Sequence, residues 1–203
     1  MRNRIGTTCM IFGIVLVLAA LSLFLLNQRE SNAAGISAGK ILFQVMEQIE
    51  IQNAADVPEN RSGYPDSYDQ DMTEVEIDGN TYVGYLSIPD IELELPVMSE
   101  WNYARLKLAP CRYTGSTKTG NLVICAHNYT RHFGPIRNLT PGDAVYFTDM
   151  DGMIWKYEVV VLDVLSSTAI EDMTASDYDL TLFTCTYGGA TRVTVRCERV
   201  TKE

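Results

Sequence analysis

The chain has 203 residues, 46% hydrophobic and 21% charged, a globular composition that excludes wholesale disorder. Its formal net charge of −10 argues against tracking a phosphate backbone, so no nucleic-acid partner is expected. Five cysteines are too few for a disulfide-dense scaffold, and neither Gly-x-x-x-x-Gly-Lys nor Gly-x-Gly-x-x-Gly occurs.

From Cys9 to Leu26 the chain is apolar apart from Ser22 and carries no charge over 18 residues. As a helix this run is about 27 Å long, close to the roughly 30 Å of bilayer hydrocarbon. Residues 7–27 are therefore read as a transmembrane signal-anchor. Arg2 and Arg4 hold residues 1–6 in the cytoplasm by the positive-inside rule, and everything after the span lies outside. A cleaved signal peptide ending near Ser31-Asn32-Ala33-Ala34 is the rival reading, but the apolar run exceeds the usual 7–15 or so residues. Three of the 16 basic residues and one of the 26 acids precede residue 31. The exported part thus holds 13 basic and 25 acidic residues, a net charge of −12.

Leu42, Val45, Met46 and Ile49 follow i, i+3, i+4, i+7 spacing, which predicts an amphipathic helix over Ala38–Gln52. Residues 53–75 hold Pro58, Gly63, Pro65 and many polar residues and read as an acidic linker, so 28–75 is helix plus linker. From residue 76 onward the pattern changes to short β-type runs. Strands are expected at Thr81–Ile88, Leu93–Val97, Asn121–Ala126, Ala144–Thr148, Ile154–Leu165, Leu180–Cys185 and Arg192–Val200. Asp149-Met150-Asp151-Gly152 reads as a hairpin turn and lacks the length and ligands of a calcium loop. Many short strands and little helix over 76–203 argue for an all-β domain, a small closed barrel or sandwich.

Only two histidines exist. His127 ends the apolar run Leu122-Val123-Ile124-Cys125-Ala126, where a rigid strand aims the ring and a loop leaves it accessible; His132 lies in the polar stretch beyond. Cys185 ends Thr181-Leu182-Phe183-Thr184 in the same way, and Arg192 follows after a Gly188-Gly189 turn. A neighbouring cation stabilises a thiolate, and a guanidinium offers donors to an oxyanion. Histidine, cysteine and arginine at three strand mouths make an acyl-transfer set.

The string TLFTCTYGGATRVTVRCER, Thr181 to Arg199, resembles the sortase signature: Thr-Leu-x-Thr-Cys, a short loop, then an arginine on the next strand. NLVICAHN, Asn121 to Asn128, resembles the sortase histidine strand, and Tyr85–Pro89 with Leu95-Pro96-Val97 resembles the family's opening strands. The resemblance covers about residues 80–200. It implies a closed eight-stranded β-barrel on a membrane-anchored cysteine transpeptidase, facing outward from a Gram-positive cell.

By that resemblance Cys185 is the nucleophile, His127 the general acid/base, Arg192 the oxyanion- and substrate-stabilising arginine, and Thr184 a support for substrate and oxyanion. Arg196 is the alternative arginine, since period two puts it on the same strand face as Arg192. The implied reaction cleaves a Leu-Pro-x-Thr-Gly-like sorting signal on a surface protein through a thioester. The acyl group then passes to an amine of a cell-wall precursor or a pilin lysine, with no cofactor.

Three other readings are open. One is an exported cysteine peptidase or wall hydrolase that uses water as acceptor. Another is a metal-binding domain with Cys125, His127, Cys185 and Cys197 as ligands. The third is a pair of disulfides among Cys111, Cys125, Cys185 and Cys197, with buried free thiols as the plainer expectation for Cys111, Cys125 and Cys197. Glu171, Asp172, Asp177 and Asp179 crowd the stretch before the cysteine strand; a solvated face is the plainer reading, and a calcium site the alternative.

Overall fold

The computed structural model describes residues 2–55, 71–174 and 177–200. Most of the expected linker, 56–70, lies outside the described residues. One helix, α1 (Arg2–Ala55), runs unbroken through the apolar span and the expected amphipathic segment. The stretch between them, Asn27–Ser37, is polar but holds helix formers, and no proline occurs before Pro58. Residues 6–30 are exposed. Beyond them a stripe of Ser31, Ala34, Ala38, Val45 and Ile49 is buried, with Leu42 and Met46 half-buried beside it. That three- and four-residue spacing is the face the sequence predicts, extended two turns toward the span.

Nine strands occur among the described residues: β1 (Val75–Ile77), β2 (Asn80–Ile88), β3 (Leu93–Met98), β4 (Cys111–Thr114), β5 (Leu122–Ala126), β6 (Ala144–Asp149), β7 (Ile154–Ser166), β8 (Leu180–Cys185) and β9 (Thr191–Arg199). Neighbours run β1-β2-β3-β4-β5-β8-β9-β7-β6, and β6 pairs back onto β2. Eight strands, β2 to β9, therefore close the expected barrel, and β1 is a short hairpin added outside the ring. Closure depends on Gly84. Its φ is +145°, and a Cβ there would meet the carbonyl oxygen of Thr148 on β6 at 2.1 Å. The β6–β7 connection is the expected turn, with Asp149 accepting the N–H groups of Asp151 and Met153 and the indole N–H of Trp155.

Strand alternation divides the apolar residues into two layers. Leu86, Ile124, Phe147, Leu182 and Val195 belong to the barrel core. Tyr82, Met98, Cys125, Phe183 and α1's Val45 and Ile49 form a second layer on the outside. This second layer covers the outer face of β5 and β8 through Val123, Cys125 and Phe183.

Candidate active site

β5 and β8 are parallel neighbours, with Ala126 opposite Thr184 in the last pair. The next residues are His127 and Cys185. In an in-register parallel pair these leave the sheet side by side, about 4.8 Å apart in backbone. β9 returns antiparallel and sets Arg192 directly opposite Cys185. Phe183 and Cys125, two residues before Cys185 and His127, belong to the outer layer, so all three side chains project from the outer face. Histidine, cysteine and arginine form one row across three strands, with cysteine in the middle.

A buried bond sets this row. Thr184, which the resemblance makes a support for substrate and oxyanion, turns its side chain to the barrel interior, away from the row, and donates its hydroxyl to the carbonyl of Ala126 at 2.8 Å. The turn between β8 and β9 is held by Thr186 and Thr191, whose hydroxyls lie 2.8 Å apart and whose backbones bond at 3.0 Å. Gly188 and Gly189 both have positive φ, +84° and +74°, which a tight reversal here requires. Arg192 donates one nitrogen to the carbonyls of Gly189 and Thr191, at 2.9 and 3.1 Å. Its guanidinium therefore lies over the turn next to Cys185.

Cys185 is half-buried, whereas Cys111, Cys125 and Cys197 are buried. Burial pushes the Cys111 thiol up to about 12, and raises Cys125 and Cys197 further. Thiolate formation is suppressed at those three positions. Cys9 lies in the apolar run of α1. Burial lowers the His127 pKa, Lys107 adds to the lowering, and Glu30 on α1 opposes both. Its ring lies 4.9 Å from that of Tyr129, which in turn lies 5.5 Å from His132. His132 is buried behind the site and is not part of the row.

Arg196 lies elsewhere. It is 3% exposed and donates to the Met173 carbonyl at 3.0 Å and the Thr181 hydroxyl at 3.1 Å, as well as to the Asp172 carbonyl. It therefore caps the short helix α2 (Ile170–Thr174) against β8. The sequence alone did not reveal the aromatic run that flanks the cysteine: Trp101 stacks on Tyr113, and Tyr113 meets Phe183 edge-on at 5.3 Å. Only Phe183, two residues before the cysteine, carried a signal.

The two structural alternatives to a reactive Cys185 do not match this arrangement. All five cysteines are free, and Cys197 belongs to the barrel core while Cys125 and Cys185 are outside, so four ligands do not converge. Asp179 accepts the Arg199 N–H at 2.7 Å, and no group of three His, Cys, Asp or Glu among the described residues is placed to hold a metal.

Residues 86–200 match the family model of the Sortase domain. The chain belongs to the sortase family. It is 28% identical over 115 residues to Sortase A of Listeria monocytogenes, covering 53% of this chain and 51% of that protein. It is 29% identical over 126 residues to Sortase A of Bacillus anthracis, covering 57% and 59%. The chain thus spans between half and three-fifths of the length of these curated relatives. Sortase C from Clostridium perfringens SM101 shares 25% identity, with a TM-score of 0.54 over 79% of this chain and 90% of that one. The Clostridium sortase shares the fold of the barrel, and α1 provides one helix long and apolar enough to cross a membrane.

Proposed function

We propose that the protein is a membrane-anchored cysteine transpeptidase, with Cys185 as nucleophile, His127 as general acid/base and Arg192 as oxyanion donor. The observation that supports this best is the row of these three side chains on adjacent strands, with the one half-exposed barrel cysteine at its centre. The Cys185 thiolate adds to the threonine carbonyl of a Leu-Pro-x-Thr-Gly-like sorting signal. As the carbon–nitrogen bond breaks, the His127 imidazolium gives its proton to the departing glycine amine, leaving a thioester. An incoming amine adds to the thioester, His127 takes up its proton, and the thiolate leaves. The exchange conserves the energy of one acyl bond, so no ATP is needed, and no step requires a metal.

In this reading the substrates are surface proteins bearing the signal, and the acceptor is an amine of a cell-wall precursor or a pilin lysine. α1 spans the cell membrane once, with its N-terminus in the cytoplasm and the barrel on the extracellular face. The test is to incubate the full-length protein in detergent with five-residue sorting peptides and an amine acceptor, and to read products by mass spectrometry. Peptide joined at threonine to the amine is the expected product. Exclusive release of the free threonine acid would make the protein a peptidase that uses water.

A further inference from the structure

α1 meets the barrel almost as soon as it leaves its apolar run. Glu30 is close enough to act on His127 and Tyr129, Ser31 and Ala34 are buried, and Gly35 carries the stem of Arg131. At about 1.5 Å per residue, Glu30 stands about 6 Å and Gly35 about 14 Å beyond Leu26 along the helix. The opposite end of the barrel is much farther from the span. Gln44 reaches Asp78 in the β1–β2 turn, and Asn53 lies against Gly152 in the β6–β7 turn, about 27 and 40 Å beyond Leu26. An unbroken helix docked in this direction turns the His127–Cys185 mouth toward the membrane.

The exported part is net −12, yet three cations gather on the side of that mouth that faces α1 and the β8–β9 turn. Lys107 acts on His127, Arg131 packs on Gly35, and Arg137 lies 5.0 Å over the ring of Tyr187, two residues beyond Cys185. None of the three makes an ion pair among the described residues. Glu30 is set against them on the α1 side, and Asp90, Glu92 and Asp143 line a groove with Pro135 and Asn138 on the far side of Arg137. Tyr187 is 76% exposed at the tip of the β8–β9 turn, the kind of side chain that sits at a headgroup layer.

We propose that the mouth of the barrel seats on anionic lipid headgroups of the membrane that α1 spans, through Lys107, Arg131, Arg137 and Tyr187. The headgroup layer is about 5–8 Å deep, so a loop within about 14 Å of the hydrocarbon edge brings its cations within a screening length of lipid phosphates. A mouth held there meets groups carried at the bilayer surface before groups free in solution. The inference rests on α1 as an anchor and not on the transpeptidase chemistry.

The test is amide hydrogen exchange on the full-length chain in lipid nanodiscs, after an alkaline wash has verified insertion. A chain removed by that wash would overturn the anchor reading and this inference with it, whatever the chemistry of Cys185. In discs with about one-third phosphatidylglycerol, exchange over 128–131 and 186–190 is expected to be on the order of tenfold slower than in neutral phosphatidylcholine discs. Exchange at 150–152 is expected to stay unchanged. About 1 M NaCl, where the screening length is about 3 Å, should abolish the difference, as should Lys107→Gln combined with Arg131→Gln and Arg137→Gln. Equal rates in the two discs, or equal slowing at both ends of the barrel, would overturn the proposal. The salt arm on the unaltered protein decides the matter should the triple variant fail to fold.

Discussion

The Thr184 hydroxyl bonds to the Ala126 carbonyl at 2.8 Å, one residue before the site on each of two parallel strands. A one-residue slip of β8 on β5 would move Cys185 to the other face of the sheet. The bond therefore does on the buried face what the reaction needs on the outer one: it keeps His127 level with Cys185.

Replacing Thr184 by valine keeps the volume and leaves the Ala126 carbonyl without its donor. A loss of about 1–3 kcal/mol in urea unfolding is expected, together with slower acylation. Thr184→Ser keeps the hydroxyl and should restore both. Valine behaving like wild type in acylation would mean that the bond does not position the row.

The two arginines of β9 should separate cleanly. Arg192→Ala should lower the single-turnover acylation rate on the order of 10²–10³-fold, the usual cost of one oxyanion donor, with little change in stability. Arg192→Lys should recover only part of the rate, because an ammonium loses the fork geometry. Arg196→Ala breaks buried bonds to Met173 and Thr181, so it should cost about 2–3 kcal/mol of stability while the folded fraction acylates at a near-normal rate. The reverse pattern would move the oxyanion role four residues along the strand.

Burial pushes the His132 pKa down to about 4, with the Ala34 backbone pulling the other way. The unfolded chain binds that proton near pH 6.5 and the folded chain does not until about pH 4. The stabilising contribution is thus complete above about pH 6.5 and is lost as pH falls toward 4. By pH 5, above most of the carboxylate range, the loss is about 2 kcal/mol. Urea titrations between pH 7 and 5 should show this slope, and His132→Gln should flatten it to the remainder left by His127, whose pKa is lowered too. An unchanged slope in the variant would place the titration elsewhere.

Much of this arrangement is legible in the chain. β5 and β8 announce themselves as apolar runs that end on a histidine and a cysteine, and the Thr181–Cys185 string names a family whose strand order brings them together. Other parts depend on tertiary structure. β4 is four residues, Cys111-Arg112-Tyr113-Thr114, with a charge in the middle; pairing with β5 makes it a strand. β1 did carry a signal, Asp78-Gly79, whose φ values of +50° and +75° form the hairpin such a pair favours. Asn27–Ser37 looks like a break because it is polar, yet the barrel buries its small residues and the helix continues. Period two puts Arg192 and Arg196 on one face, but it does not tell that α2 covers only Arg196.

The most direct test of the central claim is intact-mass spectrometry of the full-length protein after brief exposure to a sorting peptide without acceptor amine. The account predicts a thioester adduct on Cys185, absent from Cys185→Ala and retained in Cys125→Ala and Cys197→Ala. Release of the glycine-side product by Cys185→Ala at near the wild-type rate would contradict it.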